Sequence, residues 1–155
     1  MSVSRLAARG KEEEELRKLS VEMRFLEQTA ETLQQRLSML NAAITDLSYA
    51  KMTLDGVEKE KENSDLLVPI GGGSYVKMKL ASSDTVVVGI GAGVSVEKPL
   101  SEGKAMLKER LEELEKSMVA AQQQFAQIAD RINSDRSRLE TLLSSVREEK
   151  AAGNV

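Results

Sequence analysis

Residues 66–99 read LLVPIGGGSYVKMKLASSDTVVVGIGAGVSVEKP. The run is rich in Val and Gly and poor in Glu, unlike either flank. Val76, Met78 and Leu80 alternate with Tyr75, Lys77 and Lys79, the two-residue period of a strand with one apolar face. Ser82-Ser83-Asp84 is a turn-forming cluster, after which the pattern resumes at Val86, Val88 and Ile90, then Val94 and Val96. Glycines at 71 to 73 and at 89, 91 and 93 fall where the chain must turn or bulge. The spacing predicts up to four short strands in two hairpins. So small a block cannot form a core alone, and the chain offers no further strands, so the sheet is expected to be completed by other subunits. The residues assigned to this assembly are Val76, Met78, Leu80, Val86, Val88, Ile90, Val94 and Val96.

Working outward, the flanks are helical. Leu16, Leu19, Met23, Leu26, Ala30, Leu33, Leu37, Leu40, Ile44 and Leu47 follow one another at gaps of three and four. No Pro or Gly interrupts them, and a heptad sustained this long predicts a coiled-coil seam. The first helix is placed at 11–64, with Gly10 as a break and Glu12 to Glu15 in the first turn, where acids suit the helix dipole. After Pro99, with Ser101 as N-cap, a second helix is placed at 101–150. Its seam is Leu107, Leu111, Leu114, Met118, Ala121, Phe125, Ile128, Ile132, Asp135, Leu139, Leu142 and Val146, and Gly103 reads as an imperfection in its first turn. Each helix of about 50 residues would extend roughly 75 Å. The simplest arrangement is a single domain over 1–155: an antiparallel two-helix coiled coil joined through the hairpin region at 66–99. If the chain folds back near residues 82 and 83, Ala30 and Asp135 share a level and form a poorly packed layer, unless Asp135 turns out to solvent.

Composition sets limits. The chain has 155 residues, 30% charged and 3% aromatic, with no Trp, and so lacks the means for a large aromatic core. A net charge of -3 with interspersed signs implies no strong attraction to nucleic acid or an anionic membrane. Without Cys or His there is no thiol chemistry and no imidazole base or ligand. No signal peptide is visible, and the longest uncharged run in the strand region, 85–96, falls short of the ~20 residues a membrane span needs. A soluble, cytoplasmic chain is expected. Gly71-Gly72-Gly73-Ser74-Tyr75 and Gly89-Ile90-Gly91-Ala92-Gly93 lead into strands, whereas a phosphate cradle needs a helix N-terminus behind it. They read as turns and bulges. The many carboxylates lie between basic residues on helix surfaces and read as a solvated coiled-coil face rather than an acid/base pair. No catalytic, cofactor or metal residue is assigned, and no enzyme activity is expected.

Two stretches carry a family resemblance. Leu67-Val68-Pro69-Ile70-Gly71-Gly72-Gly73-Ser74-Tyr75-Val76 resembles the L-V-P-hydrophobic-G-x-G stretch of alpha-class prefoldin subunits. Val88-Gly89-Ile90-Gly91-Ala92-Gly93-Val94-Ser95-Val96-Glu97-Lys98 resembles that family's V-x-hydrophobic-G-x-G…E-K stretch. The resemblance covers nearly the whole chain, and two hairpins rather than one favour the alpha class. It implies an α+β, mostly α fold whose hairpins assemble into an oligomeric β-barrel platform. It implies a hexamer of two alpha-class and four beta-class subunits, an ATP-independent chaperone that holds non-native proteins at its coiled-coil tips and delivers them to a group II chaperonin. The apolar residues toward the tips are Leu6, Leu16, Leu19, Met23, Phe25, Leu139, Leu142, Leu143 and Val146. The alternative is a structural scaffold or tether whose arms bind one folded partner, and suppression of a client's aggregation would separate the two. A nucleic-acid-gripping arm is a third reading, but it would need a basic stripe.

Overall fold

The computed structural model describes the backbone of residues 3–152 and the side chains of residues 10–148 and 151. Helix α1 runs over Val3–Val57, followed by β1 (Asp65–Gly71), β2 (Ser74–Lys79), β3 (Thr85–Gly91), β4 (Val94–Pro99) and helix α2 (Leu100–Ala152). The two helices and two hairpins follow the expected order, but the helix ends differ. Gly10 does not break α1: one glycine costs only about 1 kcal/mol, which a long helix absorbs. Glu12 to Glu15 therefore lie inside the helix and not in its first turn.

α1 stops at Val57 rather than at Ser64. Its last turn tightens, with Lys59 N–H donating to Gly56 O (3.1 Å) and Glu60 N–H to Val57 O (3.0 Å). Asn63, in the left-handed region at φ 66°, then redirects the chain into β1. α2 starts directly after Pro99, its first amide, Leu100 N–H, donating to Asp84 O at 2.8 Å. Ser101 is thus inside the helix and is not its N-cap.

The chain divides into two compact units, residues 1–39 with 118–155, and residues 40–117. Every residue of both predicted seams is buried or half-buried, as the three-four spacing requires. In the first unit Leu19, Met23, Leu26 and Ala121 are buried. Two ion pairs there show that the helices run antiparallel: Arg131 Nη2 meets Glu22 at 2.8 Å, and Arg138 meets Glu15. In the second unit Leu54, Val88 and Leu100 are buried.

The second unit holds two separate two-stranded antiparallel sheets, β1–β2 and β3–β4. Each position of the first hairpin has a counterpart 20 residues on. Asp65↔Lys79 becomes Thr85↔Pro99, Pro69↔Tyr75 becomes Gly89↔Ser95, and Gly71↔Ser74 becomes Gly91↔Val94. Both hairpins carry a bulge at the same place, at Ile70 and Ile90. Both turn through two residues with positive φ, Gly72 (58°) with Gly73 (72°) and Ala92 (50°) with Gly93 (76°), the mirror-image turn that matches strand twist.

Gly103 marks where the second hairpin lies on α2. A Cβ on Gly103 would come within 2.3 Å of Val86 Cγ1 and 3.3 Å of Val88 Cγ2, so only glycine lets the helix and β3 approach this closely. Gly56, in contrast, has open space around it. Gly103→Ala is therefore expected to lower stability by about 1–3 kcal/mol through overpacking. Gly56→Ala is expected to raise it by about 0.5–1 kcal/mol through helix propensity. Denaturant unfolding of the two variants should move in opposite directions, and equal gains would show that Gly103 is not a contact point.

Candidate functional site

The chemistry-bearing surface of this chain is apolar and lies on the hairpins. Fifteen large apolar residues are exposed among the described ones. Eight of them lie in the four strands, which hold only 7, 6, 7 and 6 residues: Leu67, Ile70, Tyr75, Val76, Met78, Val87, Ile90 and Val94. Apolar residues concentrated in this way are typical of interaction surfaces.

The residues assigned to assembly from the sequence divide in two. Val76, Met78, Ile90 and Val94 are exposed, and Leu80, Val86 and Val96 are half-buried. Val88 differs: it is 5% exposed, already packed against the start of α2 beside Gly103. The alternation placed it on the right face but could not reveal that the chain's own helix covers that face. Leu67, Ile70, Tyr75 and Val87 are exposed as well and are not among the residues assigned from the sequence. The available signal was the unbroken apolar runs at Leu66 to Val68 and Val86 to Val88, which mark strands apolar on both faces.

At the start of α2, Lys104 bridges to the end of α1 in the same unit. Its Nζ lies 2.7 Å from Asp55 and 2.6 Å from Glu58. The hydrogen bond from Lys104 holds the Asp55 carboxyl below the usual carboxylate range. The same pairing raises the Lys104 pKa above the ordinary lysine value.

In the first unit the candidate client residues are mostly closed away. Leu19 and Met23 are buried, and Leu16, Leu139, Leu142 and Val146 are half-buried in the seam. Leu143 and Phe25 are exposed, Phe25 at 68%. The Leu6 side chain lies outside the described residues. Val21, at 67%, was not singled out from the sequence; it stands one turn from Phe25 on the same helix face.

Asp135 overturns both sequence expectations for it. It does not turn out to solvent, being 5% exposed. Nor does it face Ala30: the pairs Glu22–Arg131 and Glu15–Arg138 bracket it, placing it level with Lys18 and Leu19. Asp135 accepts from Arg131 Nε at 3.3 Å, one helical turn away, and Arg131 in turn reaches Glu22.

Comparison with known proteins accounts for this arrangement. The family profile described as "Prefoldin subunit" matches residues 26–145. The chain belongs to the prefoldin family. It is 34% identical over 119 residues to prefoldin subunit alpha of Pyrococcus horikoshii, covering 76% of this chain and 80% of that one. Prefoldin subunit alpha of Methanococcoides burtonii is 32% identical over 142 residues, covering 92% and 94%. Among solved structures, the cryo-EM structure of filamentous PFD from Methanocaldococcus jannaschii is similar with a TM-score of 0.62 at 25% identity, covering 74% of this chain and 95% of that one. The alpha-class resemblance of the two glycine-containing stretches thus stands, as does the prefoldin fold of long helices with two small hairpins. Prefoldin is a chaperone family and not a known enzyme family, and prefoldin subunits assemble into oligomers. No helix among the described residues is long and apolar enough to cross a membrane.

Two outcomes are expected for this prefoldin chain. Asp135→Leu should stabilise it by about 1–3 kcal/mol in denaturant unfolding, because a buried carboxylate gives way to an apolar seam residue. A loss of stability would mean that the Asp135–Arg131–Glu22 set outweighs its desolvation. The second concerns pH. A carboxyl whose folded pKa is depressed stabilises the fold above its unfolded pKa of about 4, and that stabilisation disappears as pH falls through the folded value. Lys104→Gln should therefore lower the melting temperature at neutral pH, with the difference from wild type shrinking as the acid limb is entered. A difference that persists undiminished at the lowest pH would assign the loss to packing.

Proposed function

We propose that this chain is one alpha-class subunit of an ATP-independent holding chaperone of the cytoplasm. Two such chains join four beta-class subunits through their hairpins, which together close into a β-barrel platform. The paired helices grip non-native proteins near their free ends and release them to a group II chaperonin. The observation that carries this reading is the hairpin block: four short strands that expose eight large apolar residues, in two sheets too small to be stable alone. Prefoldin membership supports the chaperone role, and the family's assembly into oligomers supports the use of the hairpins as the joint.

For client holding, Val21, Phe25 and Leu143 are the contacts available with the helices zipped. Leu16, Leu19, Met23, Leu139, Leu142 and Val146 join them when the seam frays, and Leu6 extends the set. The contact is apolar, so added salt should matter little.

The test uses co-expression with a beta-class prefoldin subunit, native mass measurement, and suppression of aggregation of an unrelated unfolded protein. Wild type should form the mixed hexamer and suppress aggregation. Removing residues 1–20 and 140–155 should leave the hexamer, since the hairpins lie in the other unit, and abolish suppression. Phe25→Ser with Val21→Ser should weaken suppression in the full-length chain. A truncated hexamer that protects as well as wild type would move the client site away from the helix ends, and a folded partner captured with no protection of unfolded protein would favour a tether.

A further inference from the structure

Seam positions in the first unit are apolar with two exceptions. One is Asp135. The other is Glu12, which stands four residues before Leu16 and so continues the three-four spacing of α1. Every other described seam position there, from Leu16 to Leu37 and from Met118 to Val146, carries an apolar side chain. The register of the Glu22–Arg131 and Glu15–Arg138 pairs sets Asp135 at the level of Leu19. Carried one turn further, the same register sets Glu12 at the level of Thr141 and Leu142. Both acids thus fall toward the free helix ends, beyond Met23 and Ile132.

Neither acid is answered across the seam. Glu12 is half-buried, and its Oε2, shielded from water, has no hydrogen-bond partner among the described residues. Asp135 is buried, and Arg131, which answers it at 3.3 Å, lies on the same helix and is shared with Glu22. Lys18, at the level of Asp135 on α1, is mostly exposed and pairs with Glu14 at 2.7 Å instead. Taking a carboxyl group out of water without a partner opposite it costs more than the remaining Coulomb attraction supplies. Zipping this stretch is therefore less favourable than zipping an all-apolar seam. Opening it returns both acids to water and bares Leu16, Leu19, Leu139 and Leu142 together.

We infer that Glu12 and Asp135 hold the free end of the helix pair close to opening, and that this opening admits a non-native chain to the seam. The occupant is an apolar stretch of that chain, whose side chains take the place of the opposite helix on the bared leucines. The two acids are positioning residues: they set how readily the leucines become available. This rests on the reading that clients are held near the helix ends, and adds what governs access to them.

The test is made in the full-length chain, co-assembled with a beta-class prefoldin subunit. Glu12→Leu with Asp135→Leu makes the seam apolar throughout. The control, Glu31→Gln with Asp130→Asn, removes the same charge from exposed positions of the same two helices. The apolar-seam variant should form the hexamer by native mass. Amide exchange at Leu16, Leu19, Leu139 and Leu142 should slow at least about tenfold. Cross-linking of an unfolded client to this chain, read separately from cross-linking to its partners, should fall by a similar factor, because apparent affinity scales with the fraction of competent state. The control should match wild type in all three measurements. Exchange at the wild-type rate, cross-linking that is unchanged or stronger, a variant hexamer that fails to form, or a control that changes as much as the variant would each overturn the inference and leave the holding reading in place. If the client does not cross-link to the wild-type chain, the holding reading fails and the inference with it.

Discussion

Two separate two-stranded sheets give four strands four outer edges, so half of the backbone donors and acceptors in the block have no partner within their own hairpin. Water serves such edges best where the faces beside them are polar. Here the faces expose Leu67, Ile70, Val76, Met78, Val87, Ile90 and Val94 among a few polar residues. The contradiction between apolar faces and unpaired edges is what the rest of the molecule answers. α2 begins at Leu100 with a glycine three residues on, so that β3 can lie against it. Arg110, a further two turns along, reaches back to a carbonyl of β3. The helix start is in this sense part of the second hairpin.

The seam between the helices meets a different constraint. Leu19, Met23, Leu26 and Ala121 are buried in the first unit, and Asp135 is a buried acid at the level of Leu19. Its cost is offset by Arg131, which is mostly exposed and shared with Glu22. A single polar residue in an apolar seam contributes little stability but penalises other alignments of the two helices. The cross-helix pairs of Glu15 and Glu22 lie on either side of it and reinforce the same register.

Much of this was legible in the sequence, for a local reason. The three-four spacing from Leu16 to Leu47 and from Leu107 to Val146 depends only on the helical period, and every residue in it is buried or half-buried. The alternation from Tyr75 to Leu80 depends only on the strand period. What could not be read depends on distant partners. Which residues face one another across the seam is not fixed by the period alone, and Gly56, Lys59 and Asn63 settle the end of α1 through turn geometry rather than hydrophobic pattern. Gly103 looked like a flaw because its reason, Val86, lies in another element. Val88 looked like free surface for the same reason. The family resemblance, carried by the glycine-containing stretches, reached the fold and the chaperone class; it gave no access to the level of Asp135 or to the contact of Gly103 with β3.

The equivalence of the hairpins at an offset of 20 residues bears on how such a chain can be built. Ser64 O receives Leu80 N–H in the same way that Asp84 O receives Leu100 N–H, so the point of entry and the point of exit of each hairpin are the same joint repeated. Excision of residues 65–84 would bring Ser64 to Thr85 and offer Leu100 the acceptor that Leu80 now uses, with bulge, turn and register of the remaining hairpin unchanged. The strand block is thus modular in steps of one hairpin: it can lengthen or shorten by a 20-residue cassette while the helices on either side keep their own connections.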